Sequence, residues 1–113
     1  MEIKDQVDYV AFERLDIRIG TVVDVQPFPK ARNPSWKLQV DLGEIGTRWS
    51  SAQITAYTPE QLIGTQVCCV VNFAPRNIAG FQSEVLILGV SGEDGMIILL
   101  SPRSPAPVGN PLH

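Results

Sequence analysis

Residues able to do covalent chemistry are few in this sequence and poorly placed for it. The one histidine, His113, is the last residue, where order is expected to be poor, so neither a Ser–His–Asp nor a Cys–His arrangement has its base. Cys68 and Cys69 are adjacent. Neighbouring side chains of a strand point to opposite faces, which does not suit a structural disulfide and fits a reducing compartment. Without a Cys-x-x-Cys spacing or a histidine set, a zinc or redox centre has no ligands. Asp41 and Glu44 fall at a strand end and turn, where solvated acids are ordinary. No Gly-x-Ser-x-Gly, phosphate-binding loop or Gly-x-Gly-x-x-Gly occurs. The expectation is a protein that binds and does not catalyse, with no metal and no cofactor.

Three sets of residues suit binding. Lys30, Arg32 and Lys37 lie in a stretch from Val25 to Val40 that contains no acidic residue, although the formal net charge of the chain is −3. A local basic face for phosphate and three solvated loop charges are both open readings. Ser50-Ser51-Ala52-Gln53-Ile54-Thr55 is unusually polar for a strand: Ser51 and Gln53 share one face, giving either a row of donors and acceptors or a strand end capping its own turn. In the stretch from Asn72 to Glu84, Arg76 follows Pro75 and offers a planar guanidinium to phosphate. Phe73, Ile78 and Phe81 in the same stretch offer exposed apolar contact, or else plug a barrel end. Trp36 and Trp49 fit core or interface positions, with base stacking as the alternative.

Short strands must position these groups. Residues 6–15 have helical spacing, and from Asp16 the period switches to two, setting Ile17, Ile19, Thr21, Val23 and Val25 on one face with a bend or bulge at Gly20. Pro27, Pro29 and Pro34 enforce a loop. Trp36, Leu38, Val40 and Leu42 then alternate with Lys37, Gln39 and Asp41, and a third strand covers residues 47–54. Thr58-Pro59-Glu60-Gln61 carries the signals of a helix start, ended by Gly64. Residues 66–73 form an apolar strand buried on both faces. Residues 82–90 and 96–101 form a last pair, and the tail from Pro102 to Pro111, with four prolines, is expected to be extended coil. The fold class is all-β: a five-stranded OB-fold barrel with a short N-terminal helix and a short helix between strands 3 and 4.

The 113 residues suffice for one domain with a real core, 44% hydrophobic and 19% charged. No run approaches the ~18 apolar residues of a membrane helix, and the opening residues lack the layout of a signal peptide. A cytoplasmic protein without membrane insertion is expected.

Two blocks carry a resemblance. Phe12-Glu13-Arg14-Leu15-Asp16-Ile17-Arg18-Ile19-Gly20 resembles the opening of the tRNA-binding-domain family, found appended to aminoacyl-tRNA synthetases and in free-standing proteins. Val71-Asn72-Phe73-Ala74-Pro75-Arg76-Asn77-Ile78-Ala79-Gly80, continuing to Leu86, resembles its second block. The likeness runs from about Phe12 to Pro107. Ser50 to Thr55 and Ser83-Glu84-Val85-Leu86 are most similar to the CsaA branch. The appended members tend to read Ser-x-Gly-Met where this chain has Ser83-Glu84-Val85-Leu86, and His-Pro-x-Ala-Asp-Lys-Leu where it has residues 28–34.

The resemblance implies a homodimeric, export-related chaperone that holds unfolded or preprotein polypeptide without ATP, with weak tRNA binding. The alternative is a tRNA-binding accessory protein acting in trans with a synthetase. RNA contacts are then expected at Lys30, Arg32, Lys37, Arg48, Ser51, Gln53, Arg76 and Ser83. Peptide contacts are expected at Phe73, Ile78 and Phe81, and dimer contacts at Tyr9 and Phe12, where apolar residues are left over once the core is filled.

Overall fold

Alternation in the second strand decides what lies inside the barrel. On β2 (Trp36–Asp41) Leu38 and Val40 are fully buried, with Leu42 just beyond them, while Lys37 and Gln39 face outward. The computed structural model describes residues 2–113. Besides β2 it contains α1 (Val10–Glu13), β1 (Ile17–Pro27), β3 (Thr47–Ala52), α2 (Pro59–Leu62), β4 (Gln66–Val70), β5 (Arg76–Ile78), β6 (Phe81–Ser83), β7 (Leu86–Ile87), β8 (Gly89–Ser91) and β9 (Ile97–Leu99), with a 3-10 turn at Gly43–Ile45. A five-stranded antiparallel sheet in the order β3-β2-β1-β4-β7 curls into a nearly closed barrel, and β5-β6 and β8-β9 form two hairpins. This is the expected five-stranded OB architecture with two short helices.

The sheet curls because β1 changes partner and face along its length. Residues 17–21 pair with β4 and residues 21–27 with β2. A bulge between Val22 and Asp24 adds one residue, so the strict alternation expected from Ile17 to Val25 fails: Val22 and Val25 are buried and Val23 is exposed. Gly20 does not itself form the bulge. A Cβ there would run into Val40 Cγ1 and lie 2.8 Å from Leu42 Cδ2, so glycine is what lets β1 and β2 close over the interior.

A polar seam finishes the closure between β3 and the segment joining β6 to β7. The buried Ser50 hydroxyl donates to the Val85 carbonyl (2.7 Å), the Glu84 N–H to the Trp49 carbonyl (2.7 Å), and the Trp49 N–H to Glu84 Oε1 (2.9 Å). The Ser51 N–H donates to Ser83 Oγ (3.2 Å). The single strand expected over residues 82–90 is therefore broken, because Glu84 and Val85 leave the ladder to meet β3. Its first part folds back on β5 through a two-residue turn, Ala79 (φ 49°) and Gly80 (φ 86°), both left-handed as such a hairpin requires.

The N-terminal end departs from expectation. The N-terminal helix shrinks to four residues, none buried. Asn72 ties its end down, accepting from the Asp16 N–H (2.9 Å) and donating to the Arg14 carbonyl (2.8 Å). The tail is coil, as expected, but it is tied to the barrel. The Ile19 N–H donates to the Asn110 carbonyl (3.0 Å), and Gly109 and Leu112 N–H groups donate to the carbonyls of Ile19 and Ile17 (2.7 Å each). Gln66 makes two further bonds to the Ala106 backbone, and Arg18, paired with Asp16 at 2.8 Å, reaches the Gly109 carbonyl. Ala106 and Leu112 thus pack over Ile17, Ile19, Cys68 and Val70 on the outer face of the barrel. All four residues from Val67 to Val70 are buried, but the strand expected over residues 66–73 ends at Val70, and Asn72 and Phe73 are exposed.

Candidate ligand-binding groove

The hairpin β5-β6 stands against the outer face of β3 and forms one wall of the largest concavity near the predicted residues. This groove, about 520 Å³, runs between the loop of residues 31–35, the end of β3, the hairpin, and β7 to β9. Its apolar floor is Ile54, Leu86, Ile87, Ile97 and Leu99, with Ile78 on the wall. Arg32 and Arg76 enter from opposite sides, Ser51 and Gln53 add polar groups, and no acidic side chain lines it. Among the described residues the only ion pair is Arg18 with Asp16, so both groove guanidiniums are available to a ligand. A side notch of about 70 Å³ shares Ser51, Arg76, Ile78 and Leu86 with the groove and adds Phe73, Ser83 and Glu84.

The structure therefore brings together Arg32, Ser51, Gln53, Arg76, Ile78 and, through the notch, Phe73 and Ser83. Two of these also hold the barrel shut. The Ser83 hydroxyl accepts the Ser51 N–H, and the polar string around Ser50 serves the seam as well as the groove. Arg48 lies at the far end of β3 and donates to the Thr47 carbonyl (2.9 Å), outside the groove. Tyr9 and Phe12 are exposed on α1 with ring centroids 5.9 Å apart, and neither lines the groove.

Lys30 and Lys37 sit in a different cleft, of about 350 Å³, on the tip side of the hairpin with Phe28 and Phe81. Phe81 stands edge-on to Phe28 (5.3 Å) and to Trp49 (6.1 Å), part of an aromatic cluster against the barrel wall. Trp36 is fixed on the core, its Nε1–H donating to the Tyr57 carbonyl (3.0 Å).

Sequence reasoning missed Ile54, Leu86, Ile87, Ile97 and Leu99 as floor residues. Which of these side chains meet a groove depends on where the two hairpins fold. Among the described residues no group of three His, Cys, Asp or Glu side chains converges to hold a metal, and no helix is long and apolar enough to cross a membrane.

A family model described as a putative tRNA binding domain matches residues 17–111. The chain belongs to that family. Within the tRNA-binding-domain family, solved relatives of similar length include the chaperone CsaA from Bacillus anthracis, 46% identical with a TM-score of 0.91 over 96% of this chain and all of that one. The CsaA chaperone protein from Picrophilus torridus is 40% identical with the same TM-score and the same coverage. The methionine–tRNA ligase of Methanococcoides burtonii is 41% identical over 97% of this chain. This tRNA-binding-family chain spans only 16% of that ligase's length. The family expected from the two sequence blocks, and its likeness to CsaA, are thus found.

Proposed function

We propose that this chain is a non-catalytic, cytoplasmic holding module of the CsaA kind, which binds unfolded or preprotein polypeptide and, more weakly, tRNA. The observation that carries this reading is the groove: an apolar floor rimmed by Arg32 and Arg76, with no acid in its lining. An extended apolar segment fits the floor. Burying a side chain such as Leu or Phe contributes roughly 1.5–3 kcal/mol, and association costs much of what two or three supply, so binding is micromolar-class and reversible, with no ATP required. Phe73, 49% exposed, and Ile78 are the better peptide contacts, since Phe81 is turned into the aromatic cluster.

The likeness to the CsaA structures supports this function over the alternative of an accessory acting in trans with an aminoacyl-tRNA synthetase. The match to a portion of methionine–tRNA ligases favours that second reading. Pairing into a homodimer belongs to the same proposal. Val7, Tyr9 and Val10 are each more than half exposed near α1, an apolar surface a second copy would cover.

The test compares labelled tRNA with a labelled unfolded preprotein, together with suppression of client aggregation. Protection of the client by wild type and its loss in Phe73→Ser supports the holding role. Tight tRNA binding with no protection turns the conclusion to the accessory. A 12.4 kDa species at micromolar concentration by light scattering removes the dimer.

A further inference from the structure

Lys37 is basic and solvent-reachable, which sets it among phosphate contacts on sequence grounds. Its surroundings say otherwise. Nζ lies 4.9 Å from the ring centroid of Phe28 and 4.9 Å from that of Phe81, within the range where an ammonium is held by the negative face of a ring. Lys37 projects from β2, Phe28 follows β1, and Phe81 begins β6, so this ammonium links the barrel wall to the hairpin.

The hairpin has few other ties at its tip. At the stem, Ser83 and Glu84 bond to β3. At the tip stands the turn of Ala79 (φ 49°) and Gly80 (φ 86°). There Phe81 meets Phe28, Trp49 and Lys37 on the barrel. The same hairpin carries Arg76 and Ile78, which form the groove wall.

We propose that Lys37 is a positioning residue: its ammonium, held between Phe28 and Phe81, clamps the hairpin tip and so fixes the width of the groove. It acts on ligands through Arg76 and Ile78 and is not itself a phosphate contact. The clamp goes beyond the proposed function, resting on that reading only for what the groove binds.

The deciding experiment needs no ligand. Amide hydrogen exchange is measured across residues 76–83 in wild type, Lys37→Met and Lys37→Arg, with β4 as internal reference. Methionine fills similar space without charge, and arginine keeps the cation. Losing two ring contacts speeds hairpin exchange about tenfold in Lys37→Met, while Lys37→Arg stays close to wild type and β4 is unchanged. Unchanged exchange in Lys37→Met, or equal acceleration by Lys37→Arg, overturns the clamp.

A double-mutant cycle guards against a general packing effect. In a Phe81→Leu background, Lys37→Met has little further effect on hairpin exchange, and full additivity overturns the proposal. With total tRNA as probe, Lys37→Met weakens binding several-fold without changing the slope of log affinity against log salt. A slope reduced by about one with hairpin exchange unchanged makes Lys37 a phosphate contact and overturns the clamp. Absence of any tRNA binding counts against the proposed function and leaves the exchange measurement to decide the clamp.

Discussion

Replacing Ser50 by alanine tests whether the polar seam closes the barrel. Ser50 is 1% exposed, and its hydroxyl donates to the Val85 carbonyl at 2.7 Å. Alanine fits the site, so the change removes one hydrogen bond and strands a carbonyl turned toward the barrel. A neutral bond contributes roughly 0.5–1.5 kcal/mol net, and leaving a buried acceptor unmade costs about 1–3 kcal/mol. The expected loss is therefore about 2 kcal/mol. With a urea slope of roughly 2 kcal/mol per molar, the midpoint falls by about 1 M. Glu84→Gln, which keeps an acceptor for the Trp49 N–H but not its charge, costs about 1 kcal/mol. The double variant costs less than the sum, because both changes open the same seam. A Ser50→Ala midpoint shift below about 0.25 M, or strict additivity with Glu84→Gln, refutes the idea that side chains here do the work of a missing ladder.

Three further outcomes follow from other parts of the molecule. Gly20→Ala forces a methyl against Val40 and Leu42 and lowers stability by about 1–3 kcal/mol in the same urea assay. Burial, and secondarily the neighbouring Cys68, push the Cys69 thiol up to about 12. The unfolded chain therefore ionises first: stability is intact below a pH of about 8.5 and falls by about 1.4 kcal/mol per pH unit as the pH climbs from there toward the folded value. Urea unfolding at rising pH under reducing conditions shows this slope in wild type and a shallower one in Cys69→Ala. Arg32→Ala and Arg76→Ala each reduce the salt slope of tRNA binding by about one, whereas Arg48→Ala, outside the groove, leaves it unchanged.

What could be read from the sequence was what depends on neighbours in the chain. The alternation of Leu38 and Val40 identified an inward face, and Thr58 with Gln61 forms the full capping box, with Pro59 at the first helical position. Arg32, Ser51, Gln53, Arg76 and Ile78 were legible as binding types and do converge. What escaped depends on distant partners. The turn at Ala79 and Gly80 lacks an asparagine or aspartate before its glycine, so it looked like plain loop until β5 met β6. Lys37 looked like a free charge because Phe81, forty-four positions later, gives no local sign that it will stand above it. The tail is coil, as its prolines imply, yet Gly109, Asn110 and Leu112 bond to β1, which no local signal in the sequence shows.

That tail sets a constraint on the timing of folding. Arg18 bonds to the Gly109 carbonyl across 91 positions of chain, so part of the first strand's environment is supplied long after the strand itself. Contacts of such long separation slow folding, because closing a large loop costs entropy before any bond repays it. On a ribosome adding about 5–20 residues per second, Ile17, Ile19, Cys68 and Val70 wait several seconds for Ala106 and Leu112 to cover them. During that interval the nascent chain presents an apolar face of its own, and it is itself in need of protection from aggregation.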